Sequence, residues 1–568
     1  MKALLQRFSS GQWQLAGILA VVALLLGLML NPYLTVVNHD SAIFCILAQS
    51  LLKGHYLLVS EPNPQPYFTF PPFLAVQLAA LMLLFQNFDP QAMQLVFKGY
   101  ISLLFLLSLP LFFGWVKSLL GSRTALILTL LVGVNPIVFK YTSDILSDTP
   151  FWALSMGAIY AVWRFQGSTN QHQSAPGAQS SAVRWYSAAL VLIILCALTR
   201  QIGLALVLAF LIVLAQRKQW KWLVAALVAV VVTVGGWQSY EHFYRSAHRS
   251  DISSLNQQGV QEVLDRSPIK LEYVKHFLID KPVHLDENRS QANPLILAEN
   301  VVQRVDAYTQ VTLDQLIPAL KVRLGGATNP KINLAHLLPL KVIVWILFGV
   351  GLALLYRVFP FAALYLALSL AVLLVYPYIS QRFLLPLYPL ILLCLSWGLR
   401  QGLAVLSQKR PAFRQWQPVL VTVLTVLALI ASLIETLHWV NAGYRLKVAN
   451  QGPSLRTGNR AYYRTLLWLK AHTPPDSLII SRKPPVTYFY SGRKSTAYPF
   501  TADQAQLFAY IQEKKARYGR QFPHVYVFED TAFVESQRLL TPALQKYQDR
   551  LQLVYTEPTS QSRVWLLK

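Results

Sequence analysis

Asp40, Asp144, Asp148, Arg200 and Arg382 each stand at the end of an apolar run. A carboxylate held in such a place can serve as general base toward a hydroxyl. It can equally be the N-cap or the dipole partner of the helix it opens. A guanidinium there can grip phosphate through its planar fork, or simply carry its charge out to lipid headgroups. Both readings stay open for each residue. Asp40 heads an expected amphipathic helix within 38–54, NHDSAIFCILAQSLLKG. Asp148 lies in Ser147-Asp148-Thr149-Pro150, a good cap with Pro just inside the next helix. Asp144, in Thr142-Ser143-Asp144, reads first as structural.

The elements that must position these residues are membrane helices. Of 568 residues, 54% are hydrophobic and 13% charged. Globular chains carry about twice that share of charge, so the chain reads as a polytopic membrane protein. A net charge of +25 would suggest nucleic acid in a soluble protein. Here the cations fall in short loops between apolar runs and in a polar C-terminal part, with no zinc-finger or RNA-binding signature, so nucleic acid is set aside. Cys45, Cys196 and Cys394 have apolar surroundings and no ligand-like spacing, which supports neither disulfides nor a metal cluster. The first apolar run, from Trp13, is long enough to span and lacks a small-x-small cleavage site, so it reads as an uncleaved helix.

Apolar segments fall near 13–34, 71–88, 97–117, 124–141, 148–165, 184–199, 202–216, 222–239, 337–357, 359–378, 384–400 and 417–437. Cytoplasmic loops are enriched in Lys and Arg, and this bias selects the topology. If 71–88 crosses, the clusters at 117–123, 217–221 and 400–414 all face outward. If it lies on the outer surface or dips in and returns, they move to the cytoplasm, leaving about eleven spans. The expectation is therefore an α-helical polytopic membrane protein with a cytoplasmic N-terminus. A transmembrane domain, 1–439, precedes a small extracytoplasmic α/β domain, 440–568. Segments 184–199 and 202–216 read as two short helices with Arg200 at the outer turn.

Outside the spans, 166–182 reads as a flexible polar linker. Residues 38–88 form an outer juxtamembrane platform, and 240–336 a long outer loop with helical periodicity at 259–277 and 294–322. In the C-terminal region, helix-like stretches at 459–472, 503–517 and 532–549 alternate with β-rich ones at 477–481, 524–529, 551–555 and 563–567. Tyr376, Tyr378, Phe383 and Tyr388 read as an interfacial aromatic belt.

In this topology all five ionisable residues reach the outer face, while the span interiors are nearly free of charge. An ion-coupled transporter needs ionisable groups at mid-membrane depth. The pattern instead favours a site where a lipid-borne substrate meets a water-borne one. The sequence has no Walker loop, dinucleotide fingerprint, H-E-x-x-H or G-x-S-x-G. It also lacks an Asp-x-Asp of the kind that holds a metal-bound nucleotide sugar.

Four segments, in order, resemble the GT-C membrane glycosyltransferases, and most nearly the protein O-mannosyltransferase and lipid A aminoarabinose transferase branch (glycosyltransferase family 39-like). They are the Asp40 segment ending in Leu52-Lys53-Gly54, Phe70-Pro71-Pro72-Phe73-Leu74, the acidic turn from Thr142 to Phe151, and Gln381-Arg382-Phe383-Leu384-Leu385-Pro386. The acidic turn is doubled here, where members of the family often have one acid, so the roles of Asp144 and Asp148 stay open.

The resemblance implies transfer of a monosaccharide from a polyprenyl-phosphate donor to a hydroxyl of a lipid, glycan or protein acceptor on the extracytoplasmic face. Asp40 would be general base, Asp148 would orient the acceptor or the base, and Arg382 or Arg200 would stabilise the leaving lipid phosphate. Some relatives bind a divalent metal near the acidic residue; no ligand set in this sequence requires one. The alternatives are a lipid-linked sugar flippase or other transporter, and a glycan polymerase or ligase.

Overall fold

The computed structural model describes residues 10–34, 39–170, 178–247, 304–310, 312–313, 338–375, 380–410, 415–450, 452–454, 456–499 and 501–568. Among them, seven helices are long and apolar enough to cross a membrane: Gly11–Met29, Gln94–Leu120, Gln179–Thr199, Trp220–Phe243, Pro339–Val358, Gln381–Lys409 and Val419–Ala449. In lipid the backbone must satisfy its own polar groups, so long apolar runs become helices. Many of their large side chains, including Leu24, Val231, Val232, Leu427 and Ile434, are exposed. That much uncovered apolar surface fits hydrocarbon rather than water; the chain is an integral membrane protein.

Several elements differ in detail from their expected form. Segment 124–141 is not one straight helix but Ser122–Gly133 and Pro136–Thr142, bent by 50°. Pro136 has no N–H to donate and disfavours helical geometry in the residue before it. The Asn135 side chain then caps the second piece, accepting from Ile137 N at 3.0 Å and Val138 N at 3.3 Å. Phe73–Leu84 has only 12 residues, short of the ~20 that cross a bilayer squarely. The expected linker 166–182 is helical at both ends, because Asp148–Asn170 and Ala178–Thr199 run into it. The periodic stretch 259–277, most of 294–322, and Tyr376 and Tyr378 lie outside the described residues.

The chain forms two compact units. The first comprises Met1–Leu24, Leu103–Tyr141 and Ser147–His438; the second comprises Leu25–Ser102, Thr142–Leu146 and Trp439–Lys568.

In the first unit, helices Leu338–Val358 and Tyr388–Lys409 pack at close range through glycine. A Cβ on Gly351 would overlap the Cys394 carbonyl, and one on Gly398 would overlap the Leu347 carbonyl. Small residues at a helix crossing are what let two backbones approach so closely.

The second unit is built on a five-stranded sheet. Its strands are β1 (Ser477–Ile480), β2 (Lys494–Thr496), β3 (His524–Glu529), β4 (Leu551–Thr556) and β5 (Arg563–Leu567). Their order is β2-β1-β3-β5-β4. β1 is parallel to both β2 and β3, with Leu478 beside Lys494 and Ile479 beside Tyr526. β5 joins antiparallel to β3 and β4.

Alternate residues of a strand face opposite ways, and here both faces are covered. Leu478, Ile480, Val525, Val527 and Trp565 pack with Leu507, Phe508 and Ile511 of helix Gln504–Tyr518. Ile479, Tyr526, Phe528 and Val564 share a second core with Tyr462, Leu466 and Phe489, and with Ala42, Phe44, Cys45 and Ala48 of helix His39–Leu51. That helix is consequently buried on nearly all sides rather than amphipathic. Each fully buried Phe, Ile or Leu in it contributes about 1.5–3 kcal/mol.

Candidate functional site

Asp148, Arg200 and Arg382 come together in the first unit. Arg200 sits in extended conformation (φ −149°, ψ 142°) between helix Ala178–Thr199 and the turn Gln201–Gly203. Helix Leu204–Gln216 then packs back on the first. Gly203 permits this reversal, since a Cβ there would stand 2.5 Å from the Cys196 carbonyl carbon. The turn directs Arg200 at Asp148: Nη1 lies 2.5 Å from Oδ1, and the same nitrogen donates to Ser147 Oγ at 3.3 Å.

Asp148 is only 1% exposed and opens helix Asp148–Asn170. The helix dipole there favours its negative charge. Phe151 N donates to the Ser147 carbonyl, so Ser147 holds the cap position and Asp148 is the first helical residue. Its carboxylate is a charge partner for Arg200, and neither of its oxygens takes a hydrogen bond among the described residues.

Phe383 links this pair to Arg382. Its ring lies 5.7 Å from the Arg200 guanidinium carbon and 5.3 Å from that of Arg382. Two cations thus share one aromatic ring, each held by cation–π attraction. Phe383 and Tyr388, expected in an interfacial belt, are both buried. They sit at the start of a span, as belt residues do, but the surrounding helices cover them.

Asp40 and Asp144 lie in the second unit. Asp40 is in the first turn of His39–Leu51 and 8% exposed, with His39 Nε2 3.5 Å from its Oδ1. Its charge is felt by two side chains that sequence reading missed. Burial pushes the Tyr67 phenol up to about 12, and the Asp40 charge adds to that. The Lys483 ammonium, from the loop after β1, is brought down to about 8. Burial is the main cause and neighbouring Arg482 adds to it, while Asp40, Glu535 and Asp530 pull the other way.

Asp144 is buried near a third missed residue, Lys98, whose ammonium its charge reaches. Lys98 Nζ also donates to Asn31 Oδ1 at 3.2 Å and to the Tyr33 carbonyl at 2.5 Å. A lysine in the opening turns of an otherwise apolar helix was the available signal for it. For Lys483 the signal was two cations immediately after a β-rich stretch. Among the described residues no three His, Cys, Asp or Glu side chains gather as a metal-ligand set.

Comparison with solved structures gives the fold a relationship. The chain is similar to ArnT from Cupriavidus metallidurans bound to undecaprenyl phosphate, with 12% identity, 98% of each chain covered and a TM-score of 0.54. It is also similar to AglB, the oligosaccharyltransferase of Archaeoglobus fulgidus, in complex with an inhibitory peptide and a dolichol-phosphate. There the identity is 13%, the coverage 97% of this chain and 74% of that one, and the TM-score 0.57. No family model and no curated protein sequence matches the chain.

Proposed function

From a chain with the fold of the GT-C membrane glycosyltransferases, we propose a transferase that moves a monosaccharide from a polyprenyl-phosphate donor to a hydroxyl acceptor on the extracytoplasmic face. The observation that carries this reading is the group formed by Asp148, Arg200, Phe383 and Arg382. Two guanidiniums gathered at one ring, one of them oriented by the buried Asp148 carboxylate, are donors of the kind that grip a phosphate. Arg is suited to that task by its paired, planar donors. Both similar structures hold a polyprenyl-type phosphate.

In the proposed reaction Asp40 takes the proton of the acceptor hydroxyl as the oxygen attacks the anomeric carbon. The carbon–oxygen bond to the lipid phosphate breaks, and its electron pair leaves with the phosphate. Arg200 and Arg382 stabilise that developing charge. Asp148 holds the Arg200 guanidinium in the orientation that phosphate binding needs. Asp144 balances Lys98 and serves the fold around it.

The test is transfer of a radiolabelled sugar from its polyprenyl phosphate by purified wild-type and Asp40→Asn protein. Loss of a general base lowers the rate by about 10²–10⁴-fold, with expression and elution profile unchanged. Near-normal turnover of Asp40→Asn would sink the assignment. Label that crosses a vesicle membrane without entering a new bond would mark a lipid-linked sugar transporter instead. Repeated addition to a growing glycan would mark a polymerase.

A further inference from the structure

The proposed reaction leaves unused a cationic pair in the second unit. Arg482 and Lys483 follow the carboxyl end of β1, and Asp530 follows the carboxyl end of β3. β1 and β3 are neighbours and parallel, while β2, the next strand in the chain, lies on the other side of β1. The chain therefore leaves β1 in one direction and reaches β3 in the opposite one. Such a switch in strand order opens a crevice outside the carboxyl ends, where open parallel sheets take their ligands.

The walls there are firmly built. Asp530 is fully buried and accepts from Ala532 N at 3.1 Å, Phe533 N at 3.0 Å and Ser536 Oγ at 2.6 Å. It thereby fixes the turn that carries Phe533. The Phe533 ring lies 5.8 Å from the Arg482 guanidinium carbon and 5.4 Å from Lys483 Nζ. Arg482 is also paired with Glu535 at 3.5 Å. Among the described residues no carboxylate comes within ion-pair distance of Lys483, although Asp40, Glu535 and Asp530 all act on it from farther away. A half-buried ammonium with no direct counter-ion is costly, and an anionic ligand would remove that cost.

We propose that Arg482 and Lys483 form an oxyanion site at the carboxyl ends of β1 and β3, in which Lys483 binds a phosphate group of a substrate. That the phosphate belongs to a substrate rests on the transferase reading above; the oxyanion site itself does not. The phosphate belongs to the lipid carrier of the donor or to the acceptor, and binding distinguishes the two.

Full-length protein in detergent, as wild type, Lys483→Gln and Lys483→Arg, is titrated with undecaprenyl phosphate and with inorganic phosphate, and its thermal stability is recorded. Lys483→Gln is expected to weaken one probe by about tenfold to a hundredfold, the loss of one charge-assisted hydrogen bond. Lys483→Arg restores it. Weakened undecaprenyl phosphate alone assigns the site to the donor; weakened inorganic phosphate assigns it to a phosphate carried by the acceptor.

Wild-type affinity should also fall as pH rises through about 8, where Lys483 loses its proton. Of the groups facing it, Asp530, near 6 through burial, has ionised below that range, and Asp40, Glu535 and Arg482 complete the set. Lys483→Arg should abolish this alkaline loss. Unchanged binding of both probes by Lys483→Gln overturns the proposal. So does an equal loss of binding and stability in both variants, which would make Lys483 a prop for the turn. If wild type transfers no sugar yet Lys483→Gln weakens phosphate, the transferase reading falls and the oxyanion site stands.

Discussion

At the scale of single residues, Arg200 carries the most information, because it is paired, stacked and placed by a turn. Its partner Asp148 is buried, so removing either charge strands the other. A buried pair broken from one side costs about 3–5 kcal/mol. Asp148→Asn and Arg200→Met are therefore each expected to lower the apparent melting temperature. The double variant should recover much of the loss, and a double-mutant cycle on thermal unfolding measures this. Arg382 shares the Phe383 ring but has a different expected signature. Arg382→Ala should raise the KM for the polyprenyl-phosphate donor more than that for the acceptor. Steady-state kinetics with each substrate varied in turn checks this, and equal effects would argue against phosphate binding.

At the scale of elements, the site depends on turns and crossings that tolerate little side-chain volume. Gly203 lets two helices reverse around Arg200, and Gly351 and Gly398 let two others touch along their backbones. Gly398→Val would force Leu338–Val358 and Tyr388–Lys409 apart. The second of these helices follows directly from the segment bearing Arg382 and Phe383. The variant is expected to lose stability by more than 1 kcal/mol, in the range of an overpacked core, about 1–3 kcal/mol. It should also lose transfer activity, whereas a valine at Gly349, which has open space, should cost far less. Thermal unfolding of the two variants side by side makes the comparison.

For the whole molecule, the second unit is assembled from distant parts of the chain. Leu34 N donates to the Tyr490 hydroxyl, which in turn donates to the Leu34 carbonyl. Lys494 Nζ donates to the Val59 carbonyl at 2.6 Å, and Ser495 N to the Ser60 carbonyl at 2.8 Å. Helix His39–Leu51 shares its core with the sheet. A chain ending at residue 438 would expose that apolar core and leave these backbone groups without their partners. It is expected to aggregate rather than to behave as an independent membrane domain, which size-exclusion chromatography of the tagged truncation would show.

The sequence alone determined the class of the molecule, because hydropathy and charge act locally and can be read without coordinates. Long apolar runs can only be helices in lipid. The β-rich stretches at 477–481, 524–529, 551–555 and 563–567 reappear as β1, β3, β4 and β5, since their residues favour pleated, buried positions. Asp148, Arg200 and Arg382 were visible as lone charges beside apolar runs.

Only the tertiary structure decided which charges meet. Arg200 and Asp148 are 52 residues apart in number and 2.5 Å apart in space, a separation that no periodicity encodes. Phe383 looked like a belt residue because aromatic type and position at a span end are local facts, while its burial depends on other helices. The charges of Asp40 on Tyr67 and Lys483, and of Asp144 on Lys98, likewise come from segments distant in sequence. Helix His39–Leu51 has the local pattern of an amphipathic helix, and the sheet of the C-terminal region covers its other side. The residue types at the candidate site were written locally; their partners were chosen by packing between segments far apart in the chain.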